Sequence, residues 1–483
     1  MNIHDYGNIT GSCSVGGSQF DLLGVDMQFA HNAPPAVSCR VVPKGYSSAG
    51  VVDSSDAALF WSTLRTCDNA VGKENASLSL SNLPGGRDFN ASGWVLGGVS
   101  VSASAIAEGP ECIDLQLLHP IVALEKYPSH VGPVKVNVAD ASELGGSDYL
   151  GVVKSALESY KKRVTDSAKK TSAYELLSEG IGRLGEFVKC EGCGLDKIAK
   201  LMEGFDEKAV KKGFKKYILS CIENGSDNQT IFSLAFRAIA TDLSLCLYTD
   251  ENDLAARTMT LKPNVPFKPD PLRVTTDSVI RMGGQHGDWL APSGVVTTLA
   301  SIVRASYNHE MPAMLDSASM SVICRDGGLQ TVNVDAPVWF KAMLSYVFGS
   351  TFNKPDDVPE LKELDLENTK QSKALRKLLT QYFLDLYRQN RTISITRVFS
   401  LEDNRGSLIV PGKTCLLHDG KHQGMLFLVN GVNHKFSLQS NAATTEIYGT
   451  YLRAEGLDVK AEGGDPEAVI TGGYSADKNY IWG

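Results

Sequence analysis

At 483 residues the chain exceeds what one ordinary hydrophobic core spans, so two to four domains are expected. With 43% hydrophobic and 21% charged residues, its composition excludes wholesale disorder. A net charge of −8 argues for solubility and against a nucleic-acid-binding face, which needs clustered Lys and Arg.

No stretch approaches the ~18 apolar residues of a membrane span, so no membrane insertion is expected. The N-terminus (MNIHDYGNIT) lacks the basic and apolar regions of a signal peptide, which implies synthesis in the cytoplasm without export by that route. On that expectation, Asn75-Ala-Ser and Asn228-Gln-Thr carry no glycosylation meaning.

The region up to about residue 140 reads mostly as strands. Phe20–Val25 and Val37–Val42 are short β-type runs, and Ser77–Leu80 alternates with Leu78 and Leu80 on one face. Val95–Ile106 and Cys112–Leu118 continue the pattern. One helix interrupts it: Asp53-Ser-Ser-Asp caps a run that places Ala57, Phe60, Trp61 and Leu64 on one face. From about 145 to 260 the period is helical, with Leu150, Val153, Leu157 and Tyr160 first. Ser172-x-x-Glu175 matches a capping box before Leu176 and Ile181. Val210, Phe214, Ile218 and Ile222 follow, then Phe232, Phe236 and Ile239, and the Lys208–Lys216 charges are the wet face of such a helix.

Lys262–Pro271, with four Pro, is the clearest linker. Gly294–Tyr307 reads as a helix, and Met320–Val334 as a hairpin around Arg325-Asp-Gly-Gly. Helices are expected near Val338–Phe348 and Thr369–Asn390. The last ninety residues return to β, with Arg391–Phe399, Ser407–Val410, Pro411–Leu417 and Met425–Val429. Asn430-Gly reads as a turn, Val432, His434, Phe436 and Leu438 as one strand face, and Ala443–Arg453 as the closing strand. Beyond Glu455 the tail is Gly-rich, and Tyr480 and Trp482 are its candidate interface anchors. No internal similarity between the first and last hundred residues is visible.

No catalytic constellation emerges, and no metal or cofactor site is expected. The chain has neither a Walker A loop nor a strand-linked GxGxxG, and Gly412-Lys-Thr lacks the preceding glycine of a P-loop. Gln285-His-Gly-Asp288 and the pair His418 and His422 fall in loop-like segments and read as surface polar residues. His119, before Pro120, reads as a hydrogen-bonded strand-end residue. Cys190-Glu-Gly-Cys193 is the sole CxxC among ten Cys; with helical-looking flanks it reads as a helix-terminating turn carrying two thiols, in a reducing cytoplasm.

The order of β unit, middle region and β unit resembles the baseplate or tail hub proteins of contractile-tailed phages and the related spike-base proteins of bacterial injection machines. The passages that carry the likeness are Ile113–Pro120, Gly294–Tyr307 with the Met320–Val334 hairpin, and Pro411–Arg453. The resemblance implies an α+β fold: two small antiparallel β-barrel domains flanking an α/β middle with a helical insertion. Its domains would be 1–142 (barrel), 143–262 (helical block), 263–390 (α/β middle with a long helix), 391–456 (second barrel) and 457–483 (tail). It further implies a non-enzymatic homotrimer in the virion baseplate, assembled in the host cytoplasm. Its partners would be tail tube, spike and other baseplate subunits, with DNA passing through a central channel without specific binding. After release from the cell, thiols would meet oxidising conditions. The alternatives are another baseplate or tail structural protein (wedge or tube) and a virion-associated cell-wall or polysaccharide hydrolase.

Overall fold

Alternating apolar residues in the N-terminal region fold as β1 (Thr10–Val15), β2 (Ser18–Ala30), β3 (Ala36–Pro43), β4 (Ala76–Leu83), β5 (Arg87–Ser104) and β6 (Gly109–Leu118). In this computed structural model the described residues are 9–46, 54–83, 87–104, 109–134, 140–197, 207–240, 245–250, 253–263, 302–309, 317–323, 329–335, 391–398, 411, 414–418, 423–439 and 442–456. The six strands pair antiparallel in the order β1-β4-β5-β6-β3-β2, and β1 also pairs with β2, which closes a barrel. Gly16 (φ 58°) and Gly17 (φ 93°) make the tight β1–β2 turn, where positive φ favours glycine. Phe20, Val37, Cys39, Leu78, Leu80, Leu115 and Leu117 fill the interior, as their alternation predicts.

Helix α1 (Ser54–Asp68) lies across β2, β3, β5 and β6. Of the expected face, Phe60 is buried and Leu64 packs partly against the core, joined by Thr63 and Cys67, whereas Trp61 is 53% exposed. Phe60 and Trp61 are adjacent, so the helical period turns one outward when the other is buried.

After β6 a 3-10 turn (Pro120–Lys126) leads into a helical unit with its own core. Its helices are α2 (Asp140–Glu143), α3 (Tyr149–Arg163), α4 (Ser172–Arg183) and α5 (Glu207–Glu223), followed by a π-helical segment, Ser233–Ile239. Val153, Leu157 and Tyr160 of α3 pack with Phe214, Ile218, Ile222, Phe232, Phe236 and Ile239, as their spacing predicts. Asp148 caps α3, its Oδ1 accepting from Gly151 N–H at 2.7 Å. The cap of α4 is Thr171, one residue before the expected Ser172: its Oγ1 accepts from Tyr174 N–H at 3.4 Å. Helix α4 comes close enough that a Cβ on Gly180 would lie 2.5 Å from Tyr127 Cβ.

Three short strands complete this unit: β7 (Val188–Cys190), β8 (Leu245–Tyr248) and β9 (Met259–Pro263). β9 pairs parallel with β7 and antiparallel with β8. Strands of three to five residues are too short to show alternation, so the sequence read this region as wholly helical.

The C-terminal strands are β10 (Ile302–His309), β11 (Ser317–Ile323), β12 (Leu329–Asp335), β13 (Arg391–Val398), β14 (Thr414–His418), β15 (Gln423–Ser437) and β16 (Ala442–Gly456). β11 and β12 are the expected hairpin. Two expectations change. Residues 302–309 are a strand paired with β13, where a helix was read through Tyr307; the β-branched Ile302 and Val303 fit the pleat. Asn430-Gly431 is not a hairpin turn: β15 runs through it, with a register shift between Val429 and Gly431. The expected helices near Val338–Phe348 and Thr369–Asn390, and the Ser407–Val410 strand, lie outside the described residues.

Candidate functional site

The chain's two β regions meet where β2 lies against β15, and the meeting is built on one repeated pattern. Along β2 the buried positions run Phe20 and Leu22, then Val25, Met27 and Phe29, so the alternation slips by one residue at Leu23-Gly24. A bulge explains the slip, and the register with β3 shifts there. Along β15 the buried positions run Val429, then Val432, His434 and Phe436, slipping at Asn430-Gly431. The segments after the two bulges match: Gly24-Val25-Asp26-Met27-Gln28-Phe29 and Gly431-Val432-Asn433-His434-Lys435-Phe436.

These matching segments pair antiparallel with each other. Val25 faces Phe436 and Val432 faces Phe29, around a centre at Met27 and His434. A local twofold axis therefore passes between Met27 and His434, and the flanking bonds obey it. His31 N–H donates to Asn430 O at 2.6 Å, and at the equivalent place Leu438 N–H donates to Leu23 O at 3.1 Å. The approach is tight at Gly24, where a Cβ would lie 3.3 Å from Phe436 O, whereas one on Gly431 would make an ordinary contact with Phe29 O at 3.8 Å.

The correspondence extends strand by strand. The first half of β2 pairs with β1 and the first half of β15 with β14, on the edge that each strand's second half gives to the other. On the opposite edge β16 stands to β15 as β3 stands to β2, with Val25 facing Cys39 and Val432 facing Ile447. β13 then occupies the place of β6, and β10 that of β5. In chain order, however, the second unit begins with the equivalents of β5 and β6 and ends with those of β1, β2 and β3. Five of its strands thus follow the first arrangement in circularly permuted order, with no counterpart of β4 among the described residues, and a comparison of the two ends of the sequence in order does not align them.

The two faces of the junction differ. On one, Val25, Met27, Phe29, Val432, His434, Phe436 and Ile447 are buried. His434 is fully buried, its Nδ1 2.9 Å from Thr445 Oγ1 and its ring against Phe29 and Phe436. On the other, Lys435 bonds Glu446 at 2.9 Å and stands opposite Asp26 in the register. Partial burial raises the Asp26 carboxyl above its usual range, opposed by Asn433 and Lys435.

A second polar cluster ties the barrel to the helical unit. Glu74, just before β4, accepts from Arg183 of α4 through both oxygens, at 2.6 and 2.7 Å. Lys126 and Arg257 lie 3.7 and 3.8 Å from the same carboxylate. Tyr127 O–H accepts from Arg183 at 3.1 Å and donates to Glu179 at 2.6 Å. The Arg183 bonds hold the Glu74 carboxyl below its usual range.

His119 is the hydrogen-bonded strand-end residue the sequence indicated. Its Nδ1 accepts from Ile121 N–H at 3.1 Å, which leaves Nε2–H to donate to Ala256 O at 2.9 Å. Burial lowers its pKa to about 4, so the ring is neutral. Cys190 ends a strand, β7, so the helical flank read for the CxxC is corrected on that side. His418 ends β14, whereas Gln285–Asp288, Gly412-Lys413, His422, Tyr480 and Trp482 lie outside the described residues. Among the described residues no group of three or more His, Cys, Asp or Glu side chains is placed to hold a metal, and no helix is long and apolar enough to cross a membrane.

No protein-family description and no curated protein matches the chain in sequence. Its shape is similar to solved tail proteins. The tail protein of Neisseria meningitidis MC58 aligns over 92% of this chain and 97% of its own, at 11% identity and a TM-score of 0.44. A 43 kDa prophage tail protein of Shewanella oneidensis aligns over 91% and 98%, at 9% identity and a TM-score of 0.38. An Escherichia coli type VI secretion component, described as structurally similar to bacteriophage T4 tail proteins, aligns over 90% and 76%, at 8% identity and a TM-score of 0.37. At such identities and scores the function has to be argued from the chain's own geometry.

Proposed function

We propose that the chain is a structural subunit of a contractile-tail baseplate hub, acting as a homotrimeric ring between tail tube and central spike. The observation that carries this reading is the repeated β unit: two matched strand sets in one chain, joined edge to edge about a local twofold axis. Three such chains supply six β units around a threefold axis, alternating in orientation. That count suits an adapter between a sixfold tube and a threefold spike. On this reading the domains run 1–142, 143–262, 263–390, 391–456 and 457–483, and the second strand set is completed as a barrel. Tyr480 and Trp482 anchor the tail on a neighbouring subunit. The net charge of −8 favours passage of DNA through the channel over its retention. The protein works by assembly, without turnover, in the virion baseplate with tube, spike and other baseplate subunits.

Mass photometry of the purified protein across a dilution series tests the reading. A species of three chain masses supports it, while a monomer that persists at high concentration counts against it and favours a wedge-type role or a hydrolase.

A further inference from the structure

The helical unit carries a thiol pair with a geometry of its own. Cys190 ends β7, and Gly192 takes φ 70°, a left-handed conformation that favours glycine and turns the chain back toward Cys193. The two side chains are in hydrogen-bond contact. Cys193 is 1% exposed and its thiol donates to Leu261 O of β9 at 2.9 Å, whereas Cys190 is only partly buried. The loop also seats against the start of α3: Tyr149 N–H donates to Cys193 O at 3.0 Å, and the Leu150 amide bonds the Cys190 sulfur. Contact with Cys193 and burial hold the Cys190 thiol above its usual range, against the Leu150 amide, and the same contact holds Cys193 below it, so exposure and not acidity picks the attacking sulfur. Leu261 O also accepts from Glu191 N–H at 2.9 Å, so this carbonyl keeps a partner when Cys193 gives up its proton.

We propose that Cys190 and Cys193 form a redox-active dithiol whose substrates are small disulfides of the oxidised-glutathione class. The Cys190 thiolate attacks one sulfur of the disulfide, forming a mixed disulfide and releasing one glutathione thiolate. Cys193, its proton lost to solvent, then attacks the Cys190 sulfur, and the second glutathione thiolate leaves. The protein gives up two electrons and two protons, and the small disulfide becomes two thiols. Exposure sets the order: Cys190 meets the reagent and Cys193 resolves.

The test treats the folded full-length protein with oxidised glutathione, blocks remaining thiols after denaturation, and maps the peptides by mass. The expected result is a 190–193 peptide lighter by two hydrogens, formed before change at any other cysteine. Cys193→Ser should stop at a glutathione adduct on Cys190, and Cys190→Ser should prevent modification at this loop. A limiting maleimide reagent on the unaltered protein should label Cys190 ahead of Cys193, which keeps the test valid should a variant misfold. Absence of the 190–193 disulfide, prior oxidation elsewhere, or faster labelling of Cys193 than of Cys190 would overturn the proposal.

Discussion

Replacing Glu74 with Gln keeps the shape of the side chain and removes the charge that Arg183, Lys126 and Arg257 share. Exposed ion pairs are worth at most about 1 kcal/mol, and breaking a fully buried one costs about 3–5 kcal/mol. The Glu74 and Arg183 side chains are 17% and 20% exposed, which places the pair between these limits. We expect a coupling of about 2 kcal/mol in a double-mutant cycle of Glu74→Gln with Arg183→Met, followed by urea unfolding at pH 7. The pH dependence has a defined sign. Glu74 has a folded pKa below the 4.5 of an unperturbed Glu, so its contribution is present above 4.5 and is lost as pH falls through the lower folded value. A coupling below about 0.5 kcal/mol, the range of surface pairs, would refute the assignment of this cluster as the tie between barrel and helical unit.

Gly180→Ala would place a methyl 2.5 Å from Tyr127 Cβ and 2.6 Å from Ile231 Cδ1, so a loss of about 1–3 kcal/mol is expected in thermal or urea unfolding. Phe436→Ala would empty a nearly fully buried site at the β2–β15 junction, at a cost of about 3–5 kcal/mol. Hydrogen exchange should then accelerate at both His31 and Leu438, the symmetric bonds of the junction; acceleration at one alone would speak against the twofold pairing. His119 has a pKa lowered from 6.5 to about 4, so the unfolded chain takes up this proton first as pH falls. Stability should decline by up to about 3 kcal/mol between those values, and His119→Asn should remove that part of the slope in pH-dependent denaturation.

Much of the fold was legible because burial leaves periodic traces. Leu78 and Leu80 mark β4, and Val432, His434 and Phe436 mark one face of β15, since side chains alternate across a strand. Asn430-Gly431 misled because a bulge and a hairpin turn draw on the same residue types; pairing with β2 and β16 decides between them. The phase slip from Val429 to Val432 was the available signal, and the same slip occurs between Leu22 and Val25. The internal repeat was hidden because its strands come in permuted order and because the sequence likeness, the shared Gly, Val and Phe of the two hexapeptides, is so short. The strand before the CxxC leaves no trace in the sequence, because β7 has only three residues, too few for a pattern.

On the proposed hub reading, three chains place six β units around one axis. Electron microscopy of the purified protein or its parent particle, with the rotational symmetry counted, tests it most directly. A threefold ring with six lobes around an open channel is the expected result. A monomer, or an assembly whose β units do not surround a channel, would contradict it.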